Sequence, residues 1–260
     1  MNRNLVGGYS FVPENENLRL FCFYYAGGSA SFYAGWNNFL ADDIGVYPYE
    51  IAGHGERAGE SQAKSINEIA AEAAEAISRY SDKPIILFGH SMGGDIAYKT
   101  AYLLENEYKI SLKGLFISGS VPCFADAGKY NNIIMTELDD DEFCRDLIEF
   151  GAIDKRIFRI RNFNELYLPV IRNDFNLTES FVPDKGEKVN CDITIYGGES
   201  DRIIPSFLVG GWDDFTNGSI KVKIMNGEHF FVRQHIEDIC NDINTLVSEN
   251  GDKDNDKKDK

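Results

Sequence analysis

Cysteine is sparse in this chain and forms no pattern. The five residues, Cys22, Cys123, Cys144, Cys191 and Cys240, are odd in number, far apart and free of any C-x-x-C spacing. That excludes a disulfide framework and a thiolate zinc site, and each is expected to be a small buried apolar residue. Histidine is equally thin: His54, His90, His229 and His235 show no H-x-x-x-H or related ligand spacing, so no metal site is expected. Basic charge is in deficit, with 26 Lys plus Arg against 42 Asp plus Glu and a net charge of −16. Such a balance argues against nucleic acid or an anionic membrane as partner. No run approaches the roughly 18 consecutive apolar residues of a membrane span. The opening Met1-Asn2-Arg3-Asn4-Leu5 lacks the apolar core of a secretory leader. No internal repeat is evident. What remains is a soluble protein of the reducing cytoplasm.

The chain has 260 residues, 43% hydrophobic and 13% aromatic, enough to bury a large core. A single α/β domain over 1–250 is expected, followed by a disordered tail at 251–260 built only of Gly, Asp, Asn and Lys. Apolar runs of strand length occur at Leu18–Tyr25, Val46–Ile51, Ile85–Phe88, Leu112–Gly119, Cys191–Gly197 and Ile220–Met225. Between them, Ile66, Ile69, Ala70, Ala73, Ala74 and Ile77 recur at helical spacing, so Ser65–Tyr80 reads as an amphipathic helix, with Ser65 and Glu68 placed as a capping box. A second helix runs from near Gly93 to about Glu105, and a closing one from Val232 to about Val247. Residues 124–188 break the pattern. Acids cluster there and apolar residues such as Phe143, Phe150, Phe163 and Phe175 are spaced for short helices, so a helical insertion is expected, whose aromatics form its own core or roof an apolar pocket.

Strands alternating with helices imply a mostly parallel sheet, whose reactive groups gather at the carboxyl ends of strands. Gly89-His90-Ser91-Met92-Gly93 is G-x-S-x-G between a strand and a helix, a turn tight enough to need glycines and to expose the serine hydroxyl. Asp201 and His229 follow two later strands. The chain order Ser, Asp, His is that of the α/β-hydrolases. The expected roles are Ser91 as nucleophile, His229 as general base and then acid, and Asp201 as the group orienting the imidazole. The oxyanion would be met by the backbone N–H of Met92 and by a second donor, Ala26, from the glycine-rich turn Ala26–Ser31. That turn lacks the lysine of a phosphate-binding Walker loop. Glu199, Asp213 and Asp214 compete with Asp201 as the acid, and His54, His90 and His235 are poorer bases by position. The turn at 52–57, Ala-Gly-His-Gly-Glu-Arg, reads as conformational.

The chain also resembles a family, the type II thioesterases that accompany nonribosomal peptide synthetases and polyketide synthases. The resemblance covers nearly all of 18–248 and rests on Phe-Tyr-Tyr-Ala-Gly-Gly-Ser-Ala (23–30), Ala-Gly-His-Gly-Glu-Arg (52–57), Phe-Gly-His-Ser-Met-Gly-Gly (88–94), Leu-Pro-Val-Ile-Arg-Asn-Asp (168–174), Tyr-Gly-Gly-Glu-Ser-Asp-Arg (196–202) and Gly-Glu-His-Phe-Phe (227–231). It departs where the family usually has proline, at Tyr24 and Ala52, and where it has a second glycine or a small residue, at Glu228. The resemblance implies an α/β-hydrolase fold and hydrolysis of acyl or aminoacyl groups misplaced on the phosphopantetheine arm of carrier proteins. It implies no cofactor of the enzyme's own, the insertion as a mobile lid over an acyl chamber, and a monomer beside which a carrier domain docks. A general carboxylesterase or lipase of the same fold is the alternative activity, and a fold-sharing binding protein without catalysis the alternative class.

Overall fold

Six of the apolar runs become strands of one sheet in the computed structural model, which describes residues 8–123 and 134–255. They are β1 (Leu18–Phe23), β2 (Ile44–Pro48), β3 (Ile85–His90), β4 (Gly114–Ser118), β5 (Ile193–Gly198) and β6 (Ile220–Met225). Their order is β2-β1-β3-β4-β5-β6 and every neighbouring pair is parallel. Every residue of β1, β3 and β4 is buried, which is why these strands read as unbroken apolar runs and not as alternation. β6 lies at the edge and leaves Lys221, Val222 and Ile224 exposed.

β2 starts two residues earlier than its apolar run suggested, because Ile44 and Gly45 pair with Leu18 and Arg19. Gly45 reads as a strand breaker, yet it pairs in β2, and the space a Cβ would take is filled by the side chains of Glu16 and Tyr47.

The helices α1 (Ile66–Ser78) and α2 (Met92–Asn106) pack side by side. Ser65 caps α1 by accepting from the Glu68 N–H at 3.1 Å. The reciprocal half of the capping box is shifted by one residue, since Glu68 accepts from the N–H of Lys64 at 2.8 Å. The closing helix α6 (Ile236–Asn255) begins later than expected, after a 3-10 turn at His229–Arg233. It also continues through 251–255, where a disordered tail was expected; residues 256–260 lie outside the described residues. Asn244 of α6 donates to Phe39 O and accepts from the Ala41 N–H, and Cys240 approaches Trp36 O, so α6 sits on the 3-10 turn Trp36–Asn38 and the residues after it. Trp36 in turn stacks edge-on against Phe88 of β3 at 4.9 Å. With both faces of the central strands buried, these two groups of helices lie one on each face.

The expected insertion begins at 124–133, which lies outside the described residues. From 134 to 188 it holds no strand and carries α3 (Asp140–Glu149), a 3-10 turn at Lys155–Arg159, α4 (Phe163–Leu166) and α5 (Leu168–Ser180). Asp139 caps α3 through the Glu142 N–H, and the acids Asp140, Asp141 and Glu142 fill its first turn, where the helix dipole favours them. No helix among the described residues is long and apolar enough to cross a membrane.

Candidate active site

The strand order decides where a site can form. β1 is flanked by β2 on one side and β3 on the other, so the chain reverses its course across the sheet there, and the loops after β1 and β3 diverge to leave a crevice at their carboxyl ends. Ala26 follows β1 and Ser91 follows β3; Asp201 follows β5 and His229 follows β6. All four sequence-predicted positions therefore reach one edge of the sheet.

Ser91 occupies φ 56°, ψ −125°, a positive-φ conformation that a non-glycine residue adopts only under constraint. The constraint comes from both sides. A Cβ at Gly89 would sit 1.9 Å from Gly93 O, and one at Gly93 would sit 2.0 Å from Phe23 O. The Ser91 N–H donates to Ser118 O at 2.8 Å, tying the turn to β4. His229 Nε2 lies 3.0 Å from Ser91 Oγ, and His229 Nδ1 lies 2.8 Å from Asp201 Oδ2. Asp201 and His229 are both buried. Asp201 Oδ1 accepts from the N–H groups of Ile203 and Ile204, each at 2.9 Å, which leaves Oδ2 aimed at the imidazole. Glu199, Asp213 and Asp214, the competing acids, are exposed.

The other histidines are occupied elsewhere. His90 is fully buried, 5.2 Å from His229 by ring centroids, and bonded through Nδ1 to Ser118 Oγ at 3.0 Å. Burial first, then the nearby His229 and Arg233, hold its pKa well below the ordinary value, so it is neutral packing for the site. His235 pairs on the surface with Asp238. His54 forms a second buried pair, Nε2 to Asp174 Oδ2 at 2.8 Å, and the same oxygen accepts from the Gly27 N–H at 2.7 Å. Burial opposes protonation of His54, but the hydrogen bond and charge of Asp174 outweigh it and raise the pKa above its ordinary value. Asp174 therefore fastens α5 to the glycine-rich turns at 26–31 and 52–57. Sequence inspection did not pair these residues. The turn at 52–57 has the conformational role expected of it, with buried Arg57 donating to Glu50 O and to both oxygens of Glu72 on α1.

Met92 opens α2, so its N–H is among those left without an intrahelical acceptor beside Ser91. Ala26 shares with Ser91 and His229 a narrow cavity of about 20 Å³, also lined by Phe150, Phe175 and Phe230. Phe150 and Phe175 come from the insertion and, like Phe143 and Phe163, belong also to the buried core. A larger groove of about 560 Å³, lined by Gly27, Gly28 and Ile171, shares Tyr25 with the narrow cavity. Tyr25 lines both spaces, its ring 4.7 Å from Phe230 and 5.1 Å from Phe32, and its hydroxyl accepts from Arg233 at 3.1 Å. Among the described residues no group of His, Cys, Asp and Glu side chains has the geometry of a metal site. The cysteines are all free; Cys22, Cys191 and Cys240 are buried as expected, whereas Cys123 and Cys144 are only partly so.

The family model described as "Thioesterase domain" matches residues 18–247. The chain belongs to the thioesterase family. Among relatives of this thioesterase, the Brevibacillus parabrevis protein named linear gramicidin dehydrogenase LgrE is 31% identical over 232 residues, 88% of this chain and 87% of that one. The medium-chain S-acyl fatty acid synthase thioesterase of Rattus norvegicus is 31% identical over 219 residues, covering 83% and 81%. Among solved structures, the type II thioesterase BorB from the borrelidin biosynthetic cluster superposes with a TM-score of 0.82 at 25% identity, over 95% of this chain and 99% of that one. The thioesterase thus has the α/β-hydrolase fold, and the resemblance to type II thioesterases seen in its motifs is borne out. It is a serine-based thioester hydrolase.

Proposed function

We propose that this thioesterase removes acyl or aminoacyl groups from the phosphopantetheine arm of carrier proteins in a nonribosomal peptide or polyketide assembly line. The observation that supports this reading is the unbroken line from Ser91 Oγ through His229 to Asp201, in a chain of thioesterase family. His229 Nε2 takes the Ser91 proton as the hydroxyl attacks the thioester carbonyl. Asp201 holds the proton on Nδ1 and stabilises the imidazolium that forms. The N–H groups of Met92 and Ala26 meet the oxyanion, each worth about 3 kcal/mol of transition-state stabilisation. The C–S bond then breaks, the thiol leaves with the proton from His229, and an acyl-Ser91 ester remains. Water, activated by His229, hydrolyses that ester and frees Ser91. No cofactor of the enzyme's own enters these steps, and one chain supplies every group they need.

The space beside Ser91 suits small acyl groups. At about 20 Å³ it has room for roughly one water-sized group, and the aromatic roof of α3 and α5 must shift as a lid for longer chains.

Ser91→Ala tests the reading. The variant is expected to keep the fold and its melting temperature while hydrolysis of acetyl-carrier protein falls by about 10⁴-fold or more. Retained turnover in a purified sample would overturn the assignment of Ser91.

A further inference from the structure

In a chain of net charge −16, the stretch from Lys155 to Arg161 carries four basic residues and no acid. Lys155, Arg156, Arg159 and Arg161 are all exposed. Arg156 is paired with exposed Asp154 at 2.7 Å, an ion pair open to exchange, while Arg159 and Arg161 make no ion pair with an acid among the described residues. Apolar surface is interleaved with this charge: Ile160 is 44% exposed and nearby Leu166 is 61% exposed.

The basic stretch borders the large groove. Ile157, inside the stretch, lines that groove together with Tyr167 and Ile171 of the adjoining helical segment. Phe175 and Thr178, farther along α5, line the small cavity that holds Ser91. Tyr167, Ile171, Phe175 and Thr178 are spaced by four, four and three residues and so share one face of the helix. Both spaces therefore lie along one face of α5, and the helix between Tyr167 and Phe175 spans about 12 Å at about 1.5 Å per residue. Gly27, Gly28, Ser29 and Ser31 also line the outer groove, and their hydroxyls and carbonyl groups are polar partners of the sort that amides in a flexible arm require.

Resting on the function proposed above, we propose that an acidic carrier domain docks on the basic edge at 155–161, and that its arm enters the outer groove and reaches Ser91 past Tyr25, which lines both spaces. The charge argument selects this occupant. A carrier of net negative charge is repelled by most of this surface and attracted to this exposed, purely basic stretch beside the groove, which orients the encounter and raises the association rate.

The double variant Arg159→Glu/Arg161→Glu, and the milder quadruple variant Lys155→Gln/Arg156→Gln/Arg159→Gln/Arg161→Gln, test the proposal against acetyl-carrier protein and acetyl-pantetheine in parallel. With wild-type enzyme, kcat/KM for acetyl-carrier should exceed that for acetyl-pantetheine and should fall as salt rises. Both variants should lose about ten-fold or more on acetyl-carrier, mostly in KM, with a flattened salt dependence and acetyl-pantetheine hydrolysis within about two-fold of wild type. If the wild type prefers the carrier and the variants keep that preference, the docking site is wrong and the proposed function stands. If the wild type shows no preference, the carrier reading itself fails and the docking site with it. Equal losses on both substrates would mark the stretch as structural and overturn the proposal, as would binding of the stretch to phosphatidylglycerol vesicles without any effect on carrier turnover.

Discussion

His54 and Asp174 stand 120 residues apart in the chain and meet in the interior, Nε2 to Oδ2 at 2.8 Å. The Asp174 oxygen that binds His54 also accepts from the N–H of Gly27, one residue after the proposed oxyanion donor Ala26. The insertion is thereby clasped to the catalytic edge of the sheet by a titratable pair that takes no part in the proposed chemistry. A buried carboxylate between an imidazole and a backbone N–H is stable only with both partners in place.

The pair makes stability depend on pH with a definite sign. The His54 pKa is raised above 6.5 in the folded chain, so over a window that begins at about that pH the folded state retains a proton that the unfolded state has released. Its contribution is full below pH 6.5 and disappears as pH rises through the folded value. His90 acts in the opposite sense, because its folded pKa lies well below 6.5 and the unfolded chain gains a proton as the medium turns acid. Urea midpoints should therefore decline on both sides of a maximum near pH 6.5. In His54→Gln the alkaline decline should be shallower than in wild type; an unchanged alkaline limb would remove the pair from the account.

Asp201→Asn should leave the fold intact and lower kcat by about 10³–10⁴-fold. The N–H groups of Ile203 and Ile204 both point at Oδ1, so the amide of the variant must place its oxygen there and its NH₂ against His229 Nδ1. The imidazole is then forced to carry its proton on Nε2, where it cannot accept from Ser91. An NMR measurement of the His229 tautomer alongside kcat separates this from general loosening. Full activity with the proton on Nε2 would contradict the role given to Asp201.

Ala26, Ser91 and Asp201 were legible because each closely follows a strand that shows itself as an apolar run, whereas His229 follows the edge strand β6, which is marked instead by its alternation of apolar residues and lysines. Ser91 carried a further mark in Gly89 and Gly93, whose absent side chains are demanded by contacts within a few residues or with the neighbouring strand. Asp201 could be preferred over Glu199 only by analogy. What decides between them is the turn in which Asp201 receives two N–H groups from Ile203 and Ile204, and the readiness of Asp to bond the backbone N–H two residues on signals that only weakly. The His54–Asp174 clasp was not legible, since no periodicity links positions so far apart. The 3-10 segment Ser206–Phe215 was missed for a different reason: its Gly210 and Gly211 read as loop, while Trp212 and Phe215 are held by contacts to Tyr98 on α2. Tertiary contact, not local propensity, orders that segment.

The elbow's glycines give a prediction about stability alone. Gly93→Ala places a Cβ 2.0 Å from Phe23 O and 2.8 Å from Tyr24 O, both on the backbone at the end of the central strand β1. Neither carbonyl has room to yield, so the cost should reach at least about 3 kcal/mol, or the protein should fail to accumulate as a soluble species. Gly59→Ala is the control, because a Cβ there meets nothing within 4 Å, and its effect should stay within about 0.5 kcal/mol. Equal urea midpoints for the two variants would show that the elbow is less tightly held than its geometry implies.

The aromatic roof should set the length of acyl group that the enzyme accepts. Phe150 and Phe175 close the cavity beside Ser91, so the wild type is expected to cleave acetyl groups faster than hexanoyl groups from the same carrier. Phe150→Ala opens space on the side of the cavity given by the end of α3. Each methylene that can then be buried contributes about 0.8 kcal/mol, or about four-fold in kcat/KM. The ratio of hexanoyl to acetyl turnover should accordingly rise by about ten-fold or more, while the loss of a buried ring lowers the melting temperature. The ratio isolates the effect of shape, since damage to Ser91, His229 or Asp201 would slow both substrates alike. An unchanged ratio in a folded variant would place the acyl group elsewhere, in the outer groove lined by Tyr25 and Ile171, and would reverse the direction in which the substrate lies along α5.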